Sequence, residues 1–238
     1  MLQGLPAALL VLSAAISIYG QDSSSKHNQR PNQTSTPTTA IANTNSNVDP
    51  VKYTYEFSQP KFYVKHIVLE HDANGRGTVT FERLNEDTSV TEPLELSPAA
   101  LARITASWQA LQFLDSTSDY QADKQFPHLG TMRIGMHRGE KKRVAEFNWT
   151  NNTDAETLVN EYRRAADQAI LLFDISIARQ NQPLNAPKLM EGIESLLKRN
   201  GLSDPQQLLP LLKELSTDER VPLIARNHAL RLIKKIQK

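Results

Sequence analysis

The chain has no cysteine among its 238 residues. That absence excludes disulfides, thiolate catalysis and every metal site built on sulfur ligands, so stability rests on burial and hydrogen bonding alone. A dominant charge is missing too. Lys and Arg number 27 against 26 Asp and Glu, a formal net charge of +1, so no global field marks a nucleic-acid binder and only a local patch would carry such a role. Nor does the chain contain H-E-x-x-H, G-x-S-x-G, a phosphate-binding loop or G-x-G-x-x-G, the short motifs that carry a mechanism on their own. Long apolar runs are confined to Leu5 to Tyr19, LPAALLVLSAAISIY. This run has the length of a signal-peptide core and falls short of the ~20 residues a membrane span needs.

What is present divides the chain into four parts. Residues 1–20 read as a cleaved signal peptide, with small residues Ser13, Ala15, Ser17 and Gly20 offering cleavage sites. Met1 to Gly4 supplies no Lys or Arg, a departure from the usual positive opening. Residues 21–50 are almost wholly Ser, Thr, Asn, Gln and Pro. They bury too little apolar surface to offset the entropy of ordering and are expected to act as a flexible tether. Residues 51–182 are expected to form an α+β domain and 183–238 a helical extension. The localisation this implies is extracytoplasmic, periplasmic or secreted, with no transmembrane helix after signal cleavage.

Within the body, FYVKHIVLEHD (Phe62 to Asp72) is dense in β-branched and aromatic residues, runs into Asn74-Gly75-Arg76-Gly77 and continues as the alternating TVTFERL (Thr78 to Leu84). The pattern predicts a β-hairpin with Val79 and Phe81 on its apolar side. After a polar loop, Ser97-Pro98 opens a helix carrying Leu101, Ile104, Trp108, Leu111 and Leu114 at helical spacing. A second hairpin follows, from Met132, Ile134 and Met136 through Gly139-Glu140-Lys141-Lys142 to RVAEFNWT (Arg143 to Thr150). Thr153 and Glu156 then have capping-box spacing ahead of a long stripe, Leu158 to Phe173, that ends near Gln180. Two β-β-α units imply a four-stranded, mainly antiparallel sheet (ββαββα) with both helices on one face. Beyond Gln182 to Pro187, three amphipathic segments are predicted, the first closed by Asn200-Gly201 and the last opened by Val221-Pro222.

The order YVKHIVLEHDANGRGTVTFE, helix, TMRIGMHRGEKKRVAEF, helix resembles small extracytoplasmic bacterial domains of unknown function built from paired β-β-α units. Those domains often carry cysteines near the first strand, and this chain has none, so the resemblance implies no metal or redox role. The end, LSDPQQLLPLLKELSTDERVPLIARNHALRLIKKI, is similar to one helical hairpin of the HEAT type, which implies a protein-contacting surface.

Candidate chemistry is thin. His66 and His71 lie on one predicted strand with opposite facing, so they cannot share one ion. His66 or His137, with a carboxylate such as Glu82, are the weak catalytic candidates for a hydrolase-type alternative. Glu70, Asp72 and Glu82 are near enough in the first hairpin to meet. From Ala186 onward ten cationic residues face six acidic ones, and Arg226, Arg231, Lys234 and Lys235 crowd the last helix. They are candidates for polyanion binding and also complement the helix dipole. Asn32, Asn148 and Asn151 begin sequons that accept glycans in a eukaryotic secretory route. Together these readings lead to an exported, non-enzymatic interaction protein. No cofactor or metal is expected, its partner is another extracytoplasmic protein or an envelope component, and nucleic acid is disfavoured.

Overall fold

The computed structural model describes residues 49–238, so the signal segment and all of the tether before Asp49 lie outside the described residues. The sheet has six strands, not four: β1 (Val51–Ser58), β2 (Val64–Asp72), β3 (Arg76–Arg83), β4 (Val90–Glu95), β5 (Thr131–Arg138) and β6 (Lys141–Phe147). They lie in the order β4-β3-β2-β1-β5-β6 with every pairing antiparallel. The two additional strands have different physical origins. β1 alternates Val51, Tyr53, Tyr55 and Phe57 inward with Lys52, Thr54, Glu56 and Ser58 outward, and its second partner, β5, is far away in sequence. β4 contains Pro93, which is tolerated because β4 is an edge strand and needs its ladder on one side only.

Two helices roof the inner face. In α1 (Pro98–Ala110) the Ser97 hydroxyl accepts from the Ala100 N–H at 3.2 Å and Pro98 sits in the first turn. The long α2 (Thr153–Asn181) is capped by Asn152, whose Oδ1 accepts from the N–H groups of Asp154 and Ala155 at 3.0 and 2.9 Å. The N-cap is therefore Asn152, one residue before the expected Thr153, and with Ala155 at the third helical position no capping box closes. Inward side chains of the strands pack against Ile104 and Trp108 of α1 and Leu158 and Tyr162 of α2. The outer face carries ion pairs such as Lys52 with Glu70 (2.9 Å) and Arg133 with Glu146 (3.1 Å).

α3 (Ala186–Lys198), α4 (Leu209–Thr217) and α5 (Leu223–Ile236) form a second core around Met190, Ile193, Leu208, Leu212 and Leu232. α3 ends with Asn200 in the left-handed region (φ 53°) and the Gly201 N–H on the Leu196 carbonyl at 2.8 Å, a Schellman closure. Ile175 near the end of α2 belongs to this second core, so one helix serves both. A polar seam joins them. Arg103 donates to the Ser203 carbonyl at 2.7 Å, and Gln168 accepts from the Asp204 N–H at 2.9 Å and donates to Gln207 at 2.7 Å. No helix among the described residues is long and apolar enough to cross a membrane.

Candidate functional site

Register builds a cleft between the sheet and α2. Ile67, Phe57, Met132 and Phe147 are successive cross-strand partners on β2, β1, β5 and β6. All four face inward because they occupy equivalent positions of the pleat. This row floors a cavity of about 770 Å³, with Tyr55 beside it. Glu156, Val159, Asn160, Arg163 and Asp167 of α2 line the opposite wall and recur every three or four residues, so they form one stripe of the helix. Such a volume lies in the range of small-molecule sites.

The mouth is aromatic. Phe62, Tyr63 and Trp149 line it while 44%, 65% and 42% exposed, and Phe126 meets Trp149 edge-on at 5.2 Å. Its loops are stapled to one another. Gln59 on the β1–β2 side donates to the carbonyls of Pro127 and His128, each at 3.0 Å, and the Asn148 side chain accepts from the Phe126 N–H at 3.1 Å. Gly130 completes the arrangement with φ 92°, where a Cβ would stand 2.7 Å from the Phe57 ring.

Polar groups share this space with the apolar floor: Asn148, Thr150, Glu156 and Asn160 line it as well as Arg163, Asp167 and Arg199. The Tyr55 side chain is 1% exposed and its hydroxyl makes no hydrogen bond among the described residues. Burial pushes the phenol up to about 12 against the pull of nearby Arg163, so it remains an O–H donor. Even a bond from Arg163 would use the oxygen's lone pair and leave that proton without an acceptor. The Arg163 guanidinium lies 5.6 Å from the centre of the Phe57 ring and its Nη2 is 3.9 Å from Met132 Sδ. Burial raises the Asp167 carboxyl above the usual carboxylate range, opposed by the charges of Arg163 and Arg199. Lys61, Arg163 and Arg199 all line the cleft, and none closes an ion pair among the described residues.

The residues singled out from the sequence lie elsewhere. His66 is on the outer face, with Nε2 3.1 Å from Glu56 and Nδ1 3.5 Å from Glu82. His137 is exposed on β5. Their partners on β1 are Ser58 and Lys52 respectively, which separates them by roughly 20 Å along the strand. Glu70 pairs with Lys52, Glu82 sits beside Lys65 at 3.6 Å, and Asp72 accepts from the N–H groups of Asn74 and Arg76 in the turn. These three carboxylates therefore serve different partners. Among the described residues no group of three or more His, Asp or Glu is placed to hold a metal ion.

On α5, Arg231, Lys234 and Lys235 are exposed while Arg226 is half-buried with its Nε unpartnered among the described residues. Leu223, Ile224 and Leu230 are exposed on the same helix.

The cleft escaped the sequence reading because its floor comes from four strands. The one local trace is the aromatic alternation Tyr53, Tyr55, Phe57. The sequence matches no protein-family model and no curated protein.

Proposed function

We propose that this chain is an exported, non-enzymatic binding protein that takes an apolar ligand group into the cleft beneath α2. The supporting observation is the combination of an apolar floor, Ile67, Phe57, Met132 and Phe147, with a rim of exposed aromatics held by inter-loop hydrogen bonds. Monomeric proteins seldom leave large aromatic side chains grouped in solvent without a partner for them. Stapled loops also reduce the ordering cost that binding has to overcome.

Export follows from the apolar segment at residues 5–19 and the polar stretch after it, and the ligand is accordingly a component of the envelope or the surrounding medium. Titration of the purified full-length chain with the neutral fluorophore N-phenyl-1-naphthylamine tests the cleft. Saturable binding is expected, weakened about tenfold by Trp149→Ala or Phe62→Ala, the worth of roughly 1.4 kcal/mol per anchor. An absence of saturable binding, or binding indifferent to both substitutions, would refute the reading.

A further inference from the structure

We infer that the ligand of this cleft is a monoanionic amphiphile, an apolar body ending in a carboxylate, with the head group seated at the Tyr55 hydroxyl between Arg163 and Arg199. This assignment rests on the binding reading above and specifies its chemistry. Three observations converge on it. Tyr55 holds a buried O–H with no acceptor among the described residues; leaving such a donor unmatched is costly, so a ligand oxygen that displaces the side chains covering it is favoured. Lys61, Arg163 and Arg199 place three cations around the space, against the two carboxylates Glu156 and Asp167. The surplus is a single positive charge, which suits one negative charge on the ligand and disfavours a dianion facing Asp167. Finally, the floor is apolar from Phe57 through Met132 to Phe147, so the part of the ligand that lies on it is apolar too.

The geometry gives each group a distinct task. Tyr55 donates one hydrogen bond from a position fixed by β1. Arg163, exposed but held over the Phe57 ring and against Met132, supplies a charge-assisted bond to the head group. Arg199, at the end of α3, contributes from the second core. Asp167 opposes the anion and restrains its affinity.

Displacement of N-phenyl-1-naphthylamine from the full-length chain separates this inference from the one it rests on. Dodecanoate, 1-dodecanol and dodecyltrimethylammonium, each kept below micelle formation, share one chain and differ in head group. Dodecanoate is expected to displace the fluorophore about tenfold better than dodecanol, with the cation weakest. Tyr55→Phe and Arg163→Gln should each remove most of that preference, read as the ratio of acid to alcohol displacement within each variant, and Asp167→Asn should enlarge it. Equal displacement by acid and alcohol, or preference for the cation, overturns the anionic assignment while the cleft reading stands. Failure of the fluorophore itself to bind overturns both. Unchanged melting temperatures for Tyr55→Phe and Arg163→Gln show that any lost preference is not lost folding.

Discussion

His71, Tyr162 and Trp108 satisfy one another's buried polar atoms in a chain, and that chain fixes the protonation state of His71. Its Nδ1–H donates to the Asp72 carbonyl at 2.7 Å, its Nε2 accepts from the Tyr162 hydroxyl at 2.8 Å, and that hydroxyl accepts from Trp108 Nε1–H at 2.8 Å. The Tyr53 ring stacks on the imidazole at 4.9 Å. Burial pushes His71 below its ordinary value of 6.5, only partly offset by the bond to Asp72. The unfolded chain therefore binds a proton at this residue before the folded chain does, so its stabilising contribution is complete above about pH 6.5 and falls as pH drops toward the folded value. The stability difference between the wild type and His71→Gln, measured by urea unfolding, should shrink from about pH 8 to about pH 5.5; a constant difference would contradict the assignment. Tyr162→Phe leaves His71 Nε2 and Trp108 Nε1 without partners and should cost about 1–3 kcal/mol for each orphaned group.

At the scale of elements, the start of α2 offers a direct contrast between adjacent residues. Asn152 satisfies two N–H groups of the first turn, whereas the Thr153 side chain does neither. Asn152→Ala should lower stability by about 1 kcal/mol and Thr153→Ala by much less, a difference readable in thermal melts. Local signals sufficed for β2, β3, β5, β6 and α1, because alternation, Gly-containing turns and the Ser97-Pro98 start each act over a few neighbouring residues. They did not suffice for β4, where Pro93 reads as a loop until its edge position is known, nor for the central placement of β1, which depends on pairing with Thr131–Arg138. The cleft is illegible for the same reason. Its floor is a row running across strands, and a row perpendicular to the chain has no sequence period. Likewise, nothing local marks Trp149, which lies at the mouth because Asn148 ties its loop to Phe126.

For the molecule as a whole, the 29-residue α2 couples two cores that the composition of the chain leaves separate. Its first two thirds pack on the sheet and its end, through Ile175, enters the α3–α5 core. Glu161 strengthens the junction: it is buried on α2, accepts from Arg103 Nε at 3.1 Å and pairs with Arg164, while Arg103 also reaches the Ser203 carbonyl. Because these contacts cross from one core to the other, loss of packing in either should propagate. Ile193 is fully buried in the helical core, and Ile193→Ala should cost about 2–5 kcal/mol. Trp108 lies in the sheet core, so in a Trp149→Phe background its emission reports that core alone. Urea unfolding of Ile193→Ala in this background should shift the Trp108 transition and the helical circular dichroism transition to the same lower midpoint, as a single cooperative unit requires. A Trp108 midpoint that stays at the parental value while helicity is lost first would mean that α2 and its seam hold the two cores together without making them fold as one.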